Sequence, residues 1–210
     1  MQPVMARRQG VAPRWIWPAA LALLVLAIVV AIRFLNPPHT WAGMFMEPPM
    51  PVNDFSLTAA GDKPVRISDF RGKLVALYFG YTYCPDVCPT TLAELAAAMH
   101  DLGADAQQVQ VVFVSVDPDR DTPARLAEYV ANFDPSFIGI TGSPAQIAAA
   151  ATPLGIYYKA HEGTAATGYL IDHTATVLVL DRQGSIRLLI PFGATGAEIA
   201  GDLRALLRMN

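Results

Sequence analysis

Cysteine is scarce in this chain: 210 residues hold two, Cys84 and Cys88. Neither lies just after the apolar run near the N-terminus, which excludes a lipoprotein anchor there. Basic runs are lacking as well. All 18 acidic residues lie beyond Arg33, together with 11 of the 15 basic ones, so that part carries −7 and the first 33 residues +4. An acidic body without a basic run argues against nucleic acid as a partner. Charge of either sign is missing from 15–32.

That charge-free stretch is 18 residues long (WIWPAALALLVLAIVVAI), close to what a bilayer span needs. Arg7, Arg8 and Arg14 precede it and Arg33 follows, so the positive-inside rule leaves the N-terminus in the cytoplasm. A cleaved signal peptide is the rival, with 29–31 as a weak cleavage site, but its apolar region is normally ~7–15 residues long. Length favours a retained anchor, with Trp15, Trp17 and Trp41 at the interfaces. Five prolines and no regular period across 36–52 read as an extended linker. Its Met44, Met46 and Met50 are soft thioethers that could receive copper(I), although methionine more often packs. The expected organisation is a cytoplasmic N-terminus at 1–14, a transmembrane anchor at 15–35, a Pro-rich linker at 36–50 and a folded domain at 51–210.

The domain is organised around its cysteines. Residues 73–80 form an almost unbroken apolar run, the pattern of a strand covered on both faces. Residues 90–102 repeat apolar positions at helical spacing, and Pro89 suits the first turn. The thiols therefore lie where a buried strand hands over to a helix, whose positive end favours thiolates. If the first turn is already helical at Cys84, a spacing of four puts both sulfurs on one face. They could then close as a disulfide or grip a soft metal ion. A bridge across so short a loop removes little unfolded-state entropy, so the pair serves chemistry rather than stapling.

Further strands are expected at 109–116 and 137–141, and helices opening at Thr122-Pro123 and Ser143-Pro144. Residues 156–160 read as a short strand and 161–168 as a loop. A hairpin at 174–180 and 185–190 turns through 181–184, and an amphipathic helix closes the chain at 197–209. The order describes an α/β domain whose central strands are parallel and whose edge is antiparallel. Such sheets place sites at the C-terminal ends of their strands, where the cysteines fall.

Of the four histidines, His39 lies in the linker, His100 on a helix face and His161 at a loop edge. His173 stands apart, because 169–174 leads directly into the hairpin. Three segments, CPDVCP at 84–89, VDPDRDTP at 116–123 and DHTATV at 172–177, follow one another after the N-terminal run. Together they closely resemble the Sco/SenC family of membrane-anchored copper proteins, over about 51–210. The resemblance implies a thioredoxin-like fold, with a central mixed sheet flanked by helices, behind one transmembrane helix. It implies copper, as copper(I) or copper(II), held by Cys84, Cys88 and His173. Two thiolates and an imidazole suit either state, the second with a further weak ligand.

The implied function is that of a copper chaperone, not an enzyme, that delivers one copper to the binuclear site of cytochrome c oxidase subunit II. The alternative is a membrane-anchored thiol–disulfide reductase acting on that site's cysteines. Partners would include a copper donor or a reductant protein. The location would be a bacterial inner membrane with the domain in the periplasm. Asp86, Asp117 and Asp172 are candidates to support the ligands, Asp172 only if its side chain turns back to His173. Asp121 could equally serve in the cap of the next helix.

Rival classes fit less well. A thioredoxin pair has two intervening residues and a proline facing it, whereas here there are three and 172–174 has none. A peroxiredoxin-type threonine would stand three residues before the cysteine, and Thr82 stands two before. Structural zinc takes four protein ligands, and three good ones are present. A tethered scaffold leaves His173 and the motif order unexplained.

Overall fold

The computed structural model describes residues 16–35, 39–164 and 168–209 of the chain. It divides into two units, one ending at Thr40 and the other running from Trp41 to Asn210. The expected cytoplasmic segment at 1–14 lies outside the described residues.

In the first unit the apolar run forms helix α1, Ile16–Leu35. Its Leu21, Leu23, Leu24, Val25, Leu26 and Ile28 are all exposed. Among the described residues no helix is long and apolar enough to cross a membrane.

The second unit begins with β1 (Met44–Pro51), then a hairpin of β2 (Ser56–Ala59) and β3 (Lys63–Arg66). β4 (Leu74–Gly80) leads to α2 (Val87–Leu102), β5 (Val109–Ser115), α3 (Pro123–Ala131), β6 (Ile138–Ile140) and α4 (Pro144–Ala151). A second hairpin, β7 (Tyr158–His161) and β8 (Leu170–His173), precedes β9 (Val177–Leu180), β10 (Ser185–Ile190) and α5 (Gly196–Met209).

Six strands form one mixed sheet in the order β1-β10-β9-β4-β5-β6. β4, β5 and β6 run parallel, while β9, β10 and β1 add antiparallel neighbours. The expected α/β architecture with a parallel centre and antiparallel edge is what the chain adopts. All seven residues of β4 and all seven of β5 are buried. Burying each large apolar side chain among them contributes about 1.5–3 kcal/mol. Helix starts follow the expected chemistry: Thr122 Oγ1 accepts from the Arg125 N–H, and Ser143 and Gln146 cap one another. α5 packs on α2, close enough that a Cβ on Gly196 would meet Ala97 Cβ at 2.7 Å.

Two expectations fail. The second half of the segment read as a linker, 36–50, is the strand β1, paired antiparallel with β10. Its prolines hid it, because a residue without an N–H is tolerated at a sheet edge, where one side of the strand has no ladder. The register slips between Phe45 and Met50, which also erases the alternation a strand would show. The second failure is β8, which was read as a lead-in to the later hairpin. It pairs instead with β7 across the loop, setting Tyr158 opposite His173.

Candidate metal centre

The β4–α2 connection puts both sulfurs at the C-terminal end of the sheet. α2 starts only at Val87, so Cys84 is not in its first turn as supposed. A tight turn does the work instead, with the Cys84 N–H donating to Tyr81 O at 3.3 Å. Cys84 Sγ then receives the Cys88 N–H at 3.4 Å. Gly80 makes room for this arrangement: a Cβ there would lie 2.7 Å from Cys88 Sγ and 2.9 Å from Phe113 Cε2. A glycine closing an otherwise apolar strand is the signal that could have marked this close approach.

His173 arrives from β8, 85 residues later, and its Nε2 lies 3.2 Å from Cys88 Sγ. Its Nδ1 faces Thr174 O at 3.1 Å. A carbonyl can only accept, so Nδ1 carries a proton and Nε2 is the nitrogen turned to the sulfurs, a donor to a thiolate when protonated and a lone pair for a metal when not. Tyr81 and Tyr78 stand edge-on to the imidazole, with centroids 5.9 Å and 6.1 Å away. Tyr81 Oη also accepts from the Ile171 N–H, fixing β8 to the cysteine loop. Neither tyrosine was given a role from the sequence, where Tyr78 reads as a strand residue and Tyr81 as the start of the cysteine stretch.

The ligand atoms of Cys84, Cys88 and His173 all lie within 4.8 Å of one another, and this group could hold a metal ion. The cysteines are free thiols, so the disulfide that their spacing also allowed is not formed. They differ in ionisation. The Cys88 thiol, the His173 ring and the backbone N–H groups of Asp86 and Cys88 hold the Cys84 thiol down to about 3. Burial pushes the Cys88 thiol up, and the neighbouring Cys84 thiolate adds to it. The reduced pair therefore carries one thiolate, at half-exposed Cys84, and one proton, at Cys88. Binding a soft metal through both sulfurs releases that proton.

The acidic candidates scatter. Asp86 is exposed at the start of α2, where its carboxylate accepts from Thr90 Oγ1 at 3.3 Å. Asp172 turns away from His173 and meets His161 Nε2 at 3.1 Å, so the Thr174 carbonyl, not Asp172, orients the ring. Asp117 is buried and accepts from Tyr169 Oη and Arg120 Nε, each at 2.5 Å. Asp121 is fully buried; it binds Thr82 through its N–H and hydroxyl and also accepts from Ser115 Oγ. It locks the cysteine loop to the end of β5 rather than capping α3.

The family model described as SCO1/SenC matches residues 47–208. The chain belongs to this family. Its SCO1/SenC relatives include the apo Sco1 protein of Thermus thermophilus, 42% identical with a TM-score of 0.73, covering 81% of this chain and 99% of that one. ScoI of Bradyrhizobium japonicum, solved with copper bound, is 39% identical with a TM-score of 0.68, covering 74% and 99%. The mouse mitochondrial SCO2 homolog is 41% identical over 133 residues, 62% of this chain and 52% of that protein. A SCO2-like protein of Rickettsia prowazekii is 32% identical over 169 residues, 79% of this chain and 82% of the relative. The chain spans about half the length of the mitochondrial SCO2 homologs it matches.

Proposed function

We propose that this protein is a copper carrier that binds one copper through Cys84, Cys88 and His173 and delivers it to the binuclear site of cytochrome c oxidase subunit II. The observation that carries the reading is the convergence of two sulfurs and an imidazole nitrogen at one sheet end. That donor set suits copper(I), and copper(II) with a further weak ligand. The Bradyrhizobium relative solved with copper supports the choice of metal. Cys84 and His173 are the half-exposed ligands and Cys88 the buried one, so a client thiolate reaches the site from the Cys84 side. Cys88 takes back a proton as the cargo leaves. Delivery is stoichiometric, so the protein is a carrier rather than an enzyme.

One observation favours a second reading, a thiol–disulfide reductase for the client's cysteines. An accessible Cys84 thiolate beside a buried Cys88 thiol is a nucleophile with a resolving partner. Cys84 Sγ would attack the client disulfide and release one client thiolate. Cys88, losing its proton, would then displace the second and leave a Cys84–Cys88 disulfide. Two electrons pass to the client, and a reductant protein must return them.

We further propose that α1 anchors the domain in a bacterial inner membrane, with the domain on the periplasmic side. The charge-free run at 15–32 and the exposed leucines and valines of α1 suit contact with lipid. The test mixes copper(I)-loaded protein with a reduced binuclear-site fragment of subunit II. Copper should move to the fragment mole for mole. If the fragment gains no copper, but its oxidised form is reduced by the metal-free protein, the second reading takes the place of the first.

A further inference from the structure

Arg120 ligates nothing, yet it joins three stretches far apart in the chain. Its Nε donates to Asp117 Oδ2 at 2.5 Å, and Nη1 donates to Tyr169 O at 2.9 Å. The guanidinium lies 3.5 Å from the Tyr169 ring centroid, 4.6 Å from that of Tyr83 and 5.7 Å from that of Tyr81. Its side chain is only 17% exposed, and Nη2 has no hydrogen-bond partner. Tyr81 and Tyr83 belong to the cysteine loop, Asp117 follows β5, and Tyr169 precedes His173 by four residues.

The place of His173 explains why such a clamp matters. β7 and β8 form a two-stranded sheet that is not part of the six-stranded one. On the Asp117 side, an open cavity of about 390 Å³ is lined by Val116, Asp117, Tyr158, Tyr169 and Ile171. Ile171, Tyr158 and Tyr169 still pack on the core there, and side-chain bonds add to that attachment. Tyr169 gives its hydroxyl to Asp117, its carbonyl to Arg120 and its ring face to the same cation. Tyr81 holds the Ile171 N–H on the other side and stands edge-on to His173.

We propose that Arg120 is a positioning residue for the metal centre, holding His173 at its working distance from Cys84 and Cys88 by clamping Tyr169 to the cysteine loop. This deepens the copper reading and rests on it. Neutralising the buried Asp117 would be a purely structural duty, and the two roles separate by experiment.

The full chain in detergent is titrated with copper(II) and copper(I) as Arg120→Met, Arg120→Lys and Tyr169→Phe, each with and without His173→Ala. The imidazole nitrogens are followed in the metal-free protein by histidine-selective nitrogen-15 labelling. Losing an outer partner of a ligand costs on the order of 10–100-fold in affinity. Arg120→Met should lie in that range, with shifted thiolate-to-copper absorption. Tyr169→Phe should lose less, and Arg120→Lys should recover part of the loss. In the His173→Ala background, Arg120→Met should change little. In the metal-free protein, Arg120→Met should mix the His173 ring tautomers.

Equal losses with and without His173, or an unchanged spectrum and unchanged ring nitrogens, would overturn the proposal. Should Arg120→Met not fold, Tyr169→Phe and Arg120→Lys decide alone. Should the parent bind no copper, the copper reading fails by itself and the ring nitrogens still decide the role of Arg120.

Discussion

The two cysteines and the histidine are held by very different parts of the molecule. Cys84 and Cys88 follow β4, whose seven residues are all buried between β5 and β9. His173 ends β8, in a hairpin whose β7 residues are mostly exposed. The first region is a wall, built by apolar burial and a parallel ladder. The second is an arm, tied by Tyr81, Asp117 and Arg120. The proposed carrier role needs both properties. Rigid sulfurs keep the cargo, and a ligand on a lightly packed arm can let go of it.

Core truncation should expose that contrast most strongly. Leu77→Ala, in the centre of β4, should lower unfolding free energy by about 2–5 kcal/mol. Leu170→Ala, only half-buried in β8, should cost less than about 1 kcal/mol in the same denaturant titration. Equal costs would dissolve the distinction between wall and arm.

Gly80→Ala attacks the wall where it meets the metal centre. The added methyl would press on Cys88 Sγ and Phe113, an overpacking cost of about 1–3 kcal/mol. Copper affinity should fall with it, because Cys88 must shift. Unchanged affinity would mean that the sulfur has freedom the packing does not suggest.

The ionisation of the pair sharpens the comparison further. Cys84 titrates at about 3 in the folded protein against an ordinary 9.0, so between those values the unfolded chain binds the extra proton. Its contribution to stability is therefore present above about pH 9 and is lost as pH falls toward 3. Cys88 is shifted upward, so above its ordinary 9.0 the folded state keeps a proton the unfolded chain has lost, and stability falls as pH rises. Reduced, metal-free protein should thus gain stability from acid toward pH 9 relative to Cys84→Ser, and then lose it relative to Cys88→Ser. Parallel pH profiles for all three would contradict the one-thiolate, one-proton pair.

The smallest effect belongs to Asp172→Asn. Its carboxylate is exposed and faces His161, not the metal centre. Stability should change by less than about 0.5 kcal/mol, and copper affinity should not move. A clear loss of affinity would return Asp172 to the role that the sequence suggested for it.

Much of this could be read from residues alone, and the reasons are local. β4, β5 and the helix starts at Thr122 and Ser143 announce themselves through unbroken apolar runs and cap chemistry, which act within a few residues. The cysteine pair was legible for the same reason. His173 entered through the order of three motifs; nothing in its own neighbours gave its contact with Cys88, 85 residues away. β1 escaped because edge strands tolerate proline, and β8 because its partner lies across a loop. Arg120 escaped because its environment is assembled from three separate loops.

The most direct measurement is a copper titration of the reduced full chain in detergent beside Cys84→Ser, Cys88→Ser and His173→Ala, with competitor-based affinities and thiolate-to-copper absorption read together. The account predicts one copper per chain in the parent, stoichiometric binding abolished in both cysteine variants, and weakened binding with an altered spectrum in His173→Ala. A parent that binds copper no better than Cys84→Ser would contradict it and leave the thiol reductase as the function of the pair.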